Sequence, residues 1–142
     1  MTEKTGDLMA RLISTDTPEQ LGKYLDENKD KHYKDFSAFI KEHLNRRNMT
    51  PADLSRVSGI DRIYTSQIVS GQKNPSKDYV IKIAIGLEMT LEECQRALRV
   101  AKVSDLYAKD RRDAIIIYGF TKRLNIRDLN ELLEKKGCKM IE

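Results

Sequence analysis

The amino-acid sequence predicts an all-α protein, and three observations support this fold class. Apolar residues recur at spacings of three and four along most of the 142 residues, as they do on one face of a helix. Nearly every such stretch begins with its own capping residue. The seven Gly and three Pro are too few for the many tight turns of an all-β fold. The length corresponds to one domain, or to one small domain with an accessory piece.

The N-terminal segment, residues 1–34, is predicted to hold a helix that begins at Thr17 and Pro18. A capping residue followed by proline at the first helical position is a typical helix start. The apolar stripe of this helix consists of Leu21, Tyr24 and Leu25. A polar connector follows, and a second stripe predicts a helix that ends near residues 46–48. This stripe consists of Phe36, Phe39, Ile40 and Leu44.

Two short helices joined by a tight turn come next. Thr50 caps the first of them, and Gly59 breaks it after two turns. Asp61 caps the second, at about residues 62–70, and Gly71 is placed to end it. The spacing therefore predicts a helix, a short turn and a helix between residues 50 and 71.

Four further helices are predicted toward the C-terminus. Ser76 caps one of them, and a capping box at residues 90–93 opens another that ends near Ala101. Residues 110–121 contain three consecutive isoleucines, a triplet that also fits a β-strand. The charged residues on both sides of this stretch favour a helix. Asn125 caps the last helix, and its inward residues are predicted to be Leu129, Leu132 and Leu133.

The charge of the chain is mildly basic and unevenly distributed. The net charge is +4, and residues 36–78 hold seven basic and four acidic residues, which gives +3 in that segment. Residues 1–35 hold six basic and eight acidic residues, which gives −2. A nucleic acid partner fits this balance, but the N-terminal segment is a poor basic arm for phosphates.

Several classes of protein are not expected. No apolar run reaches ~18 residues, so no membrane-spanning helix is predicted. No apolar stretch follows Met1, so a secretory signal is not expected either. Cys94 and Cys138 lie far apart without a CxxC spacing, which disfavours zinc ribbons and disulfide scaffolds. We therefore expect a cytoplasmic protein.

Catalytic and cofactor chemistry has no support in the sequence. His32 and His43 lie on different predicted elements, away from other residues at metal-ligand spacing, and are expected to be surface histidines. No nucleophile motif and no phosphate-binding glycine loop is present. We expect no enzyme activity, no metal and no cofactor. In the cluster Arg111-Arg112-Asp113, Asp113 is expected to pair with one of the two arginines while their stems cover apolar surface.

A helix, short turn and helix such as the segment from Thr50 to Pro75 makes its second helix project from the surface of the domain. A projecting helix of this kind fits the DNA major groove. This segment resembles the phage-repressor helix-turn-helix family, of the Cro/cI type also called XRE. The residues that carry the resemblance are Leu54, Ser55, Gly59, Ile60, Ser66, Ile68, Gly71, Asn74, Pro75, Val80, Ile83, Ala84, Leu87 and Leu91.

The resemblance implies a five-helix repressor-like core, with additional N-terminal and C-terminal helices. The helix-turn-helix domain would span residues 35–102, and a two-helix extension, residues 103–142, would pack on it. The sequence departs from the family pattern at four positions. Ser55 stands where Ala is usual, Thr65 where Ile or Val is usual, Val69 where Glu is frequent, and Pro51 where Gln is frequent.

The C-terminal part is similar to an extension found in XRE-type proteins of Firmicutes. This likeness supports one co-packed unit and adds no chemistry. The residues that carry it lie in four stretches, at 92–98, 106–107, 111–116 and 130–133.

The family resemblance also implies which residues would contact DNA. The base-contacting candidates are Arg62, Ile63, Tyr64 and Gln67. Arginine can pair with guanine, glutamine with adenine, and isoleucine can touch a thymine methyl group. The phosphate-contacting candidates are Thr50, Ser66, Ser70, Gln72 and Lys73.

Each of the four base-contacting assignments has a structural alternative, which for Gln67 is simply a structural role. Ile63 packs against the helix at 51–57 in one alternative, and Tyr64 is a partly buried core residue in another. In the third, Arg62 pairs with Asp61 or Asp53 and contacts no base.

The sequence thus predicts a sequence-specific DNA-binding transcriptional regulator, a repressor in type, with a recognition helix at about residues 62–70. Its partner would be double-stranded DNA, and members of such a family often bind paired half-sites as homodimers. The alternative is a helix-turn-helix scaffold used as a protein-interaction module with little or no DNA binding. Its protein partner would bind the C-terminal helices through Tyr118, Phe120 and Leu133.

Overall fold

A computed structural model describes residues 33–142, which form seven α-helices and no strand. This confirms the all-α class within the described residues. The helix predicted to begin at Thr17 lies outside them. The helices are α1 (Phe36–Arg46), α2 (Pro51–Ser58), α3 (Arg62–Ser70), α4 (Lys77–Gly86), α5 (Leu91–Val100), α6 (Arg111–Thr121) and α7 (Ile126–Lys135).

The helices begin at the capping residues that the sequence predicts. Thr50, Asp61, Ser76, Thr90 and Asn125 each accept a hydrogen bond from the amide three residues further on. Each bond satisfies one of the backbone donors that a helix start leaves without an intrahelical partner. The isoleucine triplet lies in the middle of α6, as its charged flanks predicted.

The first five helices enclose one apolar core. α2 packs on α3 and α4, α4 packs on α5, and α1 contacts both α3 and α5. This arrangement holds α3 against the core along one side only. The side chains that fill the centre are Phe36, Phe39, Ile40, Leu54, Ile68, Val80, Ile81, Ile83 and Leu98.

The last two helices continue the same unit. α6 packs on α7, α5 contacts α6, and α4 contacts α7. Gly119 lets α6 and α7 approach closely, because a Cβ atom there would lie 2.7 Å from Leu129 Cδ1. Residues 34–142 form one compact unit. Leu133 is fully buried within it, so the expectation that this side chain belongs to a docking surface is wrong.

Charged residues of α6 hold it to the N-terminal end of α4. Lys77 Nζ lies 3.0 Å from Asp113 Oδ2, and the Asp113 side chain is only 8% exposed. Arg112 donates to both carboxylate oxygens of Asp78, at 3.1 and 3.0 Å. The predicted pairing of Asp113 with a neighbouring arginine is therefore wrong. Both carboxylate pairings join residues more than 30 positions apart, which local sequence spacing does not reveal.

The C-terminal tail folds back over the extension. Arg112 also donates to the backbone carbonyls of Lys139 and Met140, at 2.8 and 3.1 Å. The Asn130 side-chain amide pairs with the backbone of Ile141 in both directions. The buried Ile141 side chain closes this end of the unit.

His43 is buried, with 4% of its surface exposed, so its expected surface position is wrong. Its ring centroid lies 4.5 Å from that of Phe39, and its Nδ1 accepts a hydrogen bond from the Arg47 guanidinium at 3.0 Å. Burial, reinforced by the charges of Arg46 and Arg47, lowers the pKa of His43 to about 4. The imidazole is therefore neutral at physiological pH. His32 lies outside the described residues.

Cys94 and Cys138 are free thiols. Burial raises the pKa of the Cys94 thiol to about 12, so this side chain behaves as a small apolar residue. Residues 33–142 contain no group of His, Cys, Asp and Glu side chains arranged to hold a metal ion. Within the same range, every helix is too short or too polar to cross a bilayer.

Candidate nucleic-acid interface

The turn between α2 and α3 is built around Gly59 and Ile60. Gly59 adopts a left-handed conformation with φ of +74°, and its amide donates to the Ser55 carbonyl at 2.9 Å. Glycine adopts this conformation without the penalty that a Cβ atom brings. The Ile60 side chain is buried in the core and so anchors the turn to it.

Two hydroxyl groups fix the turn from both helices. Ser55 Oγ of α2 and Thr65 Oγ1 of α3 both donate to the carbonyl oxygen of Ile60, at 2.5 and 3.3 Å. These are two of the four positions at which the sequence departs from the family pattern. The departures therefore have a local explanation, because each replaces an apolar side chain by a donor to the same buried acceptor.

The N-terminal end of α3 presents its side chains outward. Asp61 Oδ2 accepts from the Tyr64 amide at 3.0 Å and caps the helix. Ile63 is 70% exposed, so it does not pack against α2. Neither acidic neighbour pairs with Arg62, because Asp53 binds Arg56 at 3.5 Å and Asp61 serves the cap. The structural alternatives for Ile63 and Arg62 are thereby removed.

Arg62, Ile63 and Gln67 lie on the side of α3 that faces away from the core. Ile63 and Gln67 are four positions apart and so are neighbours on the helix surface. Among the described residues, the Arg62 and Gln67 side chains make no hydrogen bond or ion pair. Their donors and acceptors remain for a ligand.

Tyr64 occupies a different environment from the other three base-contacting candidates. Its ring is half-buried and meets the ring of Tyr79 on α4 edge to face, with centroids 4.9 Å apart. Lys73 Nζ lies 5.4 Å from the Tyr64 centroid. The partly buried alternative therefore describes this residue. Sequence reasoning did not single out Tyr79, although it lies one position before Val80 of the predicted stripe.

The phosphate-contacting candidates are all exposed and lie at the ends and outer side of the motif. Ser66 lies on α3, while Ser70, Gln72 and Lys73 follow at its C-terminal end. Ser70 Oγ donates to the Gln67 carbonyl at 3.2 Å. Thr50 lies apart from these four, at the start of α2.

The start of α2 is largely satisfied by its own cap. The Thr50 hydroxyl accepts from the Asp53 amide, and the Thr50 amide donates to Asp53 Oδ2 at 2.9 Å. This backbone hydrogen bond holds the pKa of Asp53 below its usual value, so the carboxylate is ionised at neutral pH. Pro51 has no amide donor. The α2 start therefore offers a phosphate fewer donors and more negative charge than the α3 surface does.

Part of the chain is similar to a known protein family. A helix-turn-helix family model matches residues 40–94, from the middle of α1 to the first turn of α5. No curated protein and no solved structure gives a significant match to the chain. The matched segment contains α2, the turn, α3 and the whole of α4. Residues 40–94 of this protein therefore form a helix-turn-helix domain of the XRE type, which belongs to a family of DNA-binding proteins.

Proposed function

We propose that this protein is a sequence-specific DNA-binding transcriptional regulator that inserts α3 into the major groove. One observation carries the proposal: Arg62, Ile63 and Gln67 share the outer surface of α3, and neither polar side chain has a partner among the described residues. The two hydroxyl hydrogen bonds to the Ile60 carbonyl fix the turn before α3, so they hold that surface in a fixed orientation.

The chemistry of these three side chains suits base recognition. Arg62 can donate two hydrogen bonds to a guanine, and Gln67 can pair with an adenine edge. Ile63 can contact a thymine methyl group. Ser66, Ser70, Gln72 and Lys73 would contact phosphates and set the orientation of the domain without reading sequence. Thr50 retains one hydroxyl hydrogen for the same purpose.

The family binds DNA without catalysis, and we expect no enzymatic activity from this chain. We propose that it acts as a homodimer on paired half-sites about 34 Å apart in the cytoplasm. Regulation by repression is the simplest outcome of occupying such sites.

The decisive experiment is selection of preferred duplexes from a random library by the full-length protein. Binding to the selected duplex and to a scrambled duplex is then measured between 50 and 200 mM salt. We expect the selected duplex to keep its advantage at 200 mM, because base contacts are less sensitive to salt than phosphate contacts are. Equal binding to both duplexes at every salt concentration would overturn the proposal.

Substitution of Gln67 tests the base-reading role directly. We expect Gln67→Ala to cost about 1–3 kcal/mol on the selected duplex and to relax preference at one base pair. The matched control is Gln72→Ala, which removes the same functional group from a proposed phosphate contact. It should weaken binding to all duplexes alike. An unchanged sequence profile for Gln67→Ala would remove this residue from the readout.

A protein-interaction module remains the second candidate, and one observation favours it. Each helix of the motif has an aspartate at its start, Asp53 in the first turn of α2 and Asp61 as the cap of α3. Because these carboxylates occupy the helix starts, they oppose the binding of a phosphate there. With Leu133 buried, its partner surface would centre on Tyr118, which is 48% exposed. Failure to bind any duplex at 50 mM salt, together with an intact fold, would favour this candidate.

A further inference from the structure

Two neighbouring aromatic rings with a cation at each end form a strip that runs from the end of α3 onto α4. It consists of Lys73, Tyr64, Tyr79 and Lys82, which we call the cation–aromatic strip. Lys73 Nζ lies 5.4 Å from the Tyr64 centroid, and Lys82 Nζ lies 5.5 Å from the Tyr79 centroid. The two rings meet edge to face at 4.9 Å. The four side chains thus form a continuous surface with an ammonium group at each end.

The two ammonium groups of the strip are not neutralised by a carboxylate of the described residues. Among the described residues, neither Lys73 nor Lys82 forms an ion pair, whereas Lys77 on the same helix as Lys82 is paired with Asp113. A ring face attracts a cation through its quadrupole but carries no net charge. The rings therefore help to position the ammonium groups without neutralising them, and the strip remains positive.

We infer that the cation–aromatic strip binds the phosphodiester backbone of duplex DNA beside the base-reading surface. The inference rests on the proposed function and extends it to two residues, Tyr79 and Lys82, that no sequence motif indicated. Two observations select a DNA backbone as the occupant. One member of the strip, Tyr64, lies on the proposed recognition helix, and the unpaired charge of the two lysines is complementary to that of phosphates.

The groups of the strip match the chemistry of a phosphate strand. Lysine ammonium groups and tyrosine hydroxyl groups both donate hydrogen bonds to phosphate oxygens. Phosphates recur every 3.4 Å of axis along one strand, so the two lysines can neutralise different phosphates. Tyr64 would then contact the DNA backbone and not a base, which agrees with its half-buried ring.

The test is the salt dependence of binding to a scrambled duplex, in which base preference has no part. Each neutralised phosphate contributes about 0.9 to the slope of log affinity against log salt. We expect Lys82→Gln to reduce the slope by that amount. Between 50 and 200 mM salt, the wild-type protein should then lose about threefold more affinity than the variant does. Tyr79→Phe, which keeps the ring and removes the hydroxyl, should weaken binding without changing the slope.

The matched control is Lys122→Gln. Lys122 Nζ lies 5.8 Å from the Tyr118 centroid on α6, so this pair has the same chemistry in the C-terminal extension. Its substitution should leave the slope unchanged. A slope for Lys82→Gln equal to that of the wild type, or an equal fall for Lys122→Gln, would overturn the inference, as would a wild-type protein that binds no duplex.

The outcomes separate this inference from the proposed function. A wild-type protein without sequence preference would overturn the sequence-specific function, while the slope on the scrambled duplex would still decide the strip. Conversely, Lys82→Gln should retain the preferred sequence of the wild type. Thermal unfolding of each variant, monitored by circular dichroism, verifies that substitution of the half-exposed Lys82 leaves the fold intact.

Discussion

Arg62 and Arg112 lie in the first turn of short helices that are each capped by an aspartate, yet they have opposite surroundings. Arg112 of α6 donates to four oxygens, two from Asp78 and one each from the backbone of Lys139 and Met140. Arg62 of α3 donates to none among the described residues. One guanidinium is thus part of the fold, and the other is left for a partner.

The regions that hold these two residues differ in the same way. In the C-terminal extension, the charged side chains of α6 bind α4 and the tail, so they hold helices together. On the outer surface of α3, the Arg62 and Gln67 side chains make no hydrogen bond or ion pair with the described residues, while the hydroxyl groups of Ser55 and Thr65 fix the preceding turn. The two arginines are the same residue type at similar helix positions, so it is the partners of each side chain that distinguish them.

The largest expected effect concerns the Lys77–Asp113 pair, which joins α6 of the C-terminal extension to α4. Asp113→Ala should destabilise the fold by about 3–5 kcal/mol, because it leaves the half-buried Lys77 ammonium without its carboxylate. Urea unfolding measures this change. Asp105→Ala is the matched control, since Asp105 pairs with Arg99 at the surface and should contribute only about 0–1 kcal/mol. Equal costs for the two variants would show that the Lys77–Asp113 pair does not hold α6 on α4.

Acid should destabilise both regions together through His43. Its pKa is about 4 in the folded protein and about 6.5 in the unfolded chain, so the folded state binds fewer protons between these values. The free energy of unfolding should therefore fall as the pH drops from 6.5 to 4, by about 3 kcal/mol in total.

The measurement is chemical unfolding at several pH values, with His43→Gln as the comparison. The variant has no group that titrates at this position, so its stability should vary less across the same window. Because α1 packs on α3 and α5, probes in α3 and in α6 should report one transition. Separate transitions would mean that the two regions unfold independently.

The smallest effect concerns the turn alone. Ser55→Ala and Thr65→Val each remove one donor to the Ile60 carbonyl and should each cost about 0.5–1.5 kcal/mol. The double variant should cost more than the sum, because it leaves a buried acceptor with neither hydroxyl donor. Additive costs in a double-mutant cycle would show that the two hydroxyl groups act independently.

Local features of this fold could be predicted from the sequence. The helix starts at Thr50, Asp61, Ser76, Thr90 and Asn125 were predicted because a cap is a contact between residues three positions apart. The αL glycine in the α2–α3 turn was predictable for the same reason. The outward position of Arg62 and Ile63 was implied by the family resemblance alone.

Features that join distant elements could not be predicted in this way. The partner of Asp113 lies 36 positions earlier in the chain, and Tyr64 meets Tyr79 on another helix. His43 is instructive, because it stands in the stripe that contains Phe36, Phe39 and Ile40 and so already had the spacing of a core residue. Its polarity suggested a surface position, and burial beside Arg47 made it a neutral core residue instead.

The sequence by itself determined that this chain forms capped helices, that residues 50–75 have the helix-turn-helix pattern, and which side chains start α3. Each of these properties depends on residues within a few turns of one another. Only the tertiary structure decided which charges remain unpaired, because an ion pair or a ring contact depends on which helices pack together. The free surface of Arg62 and Gln67 and the cation–aromatic strip beside it are both consequences of that packing.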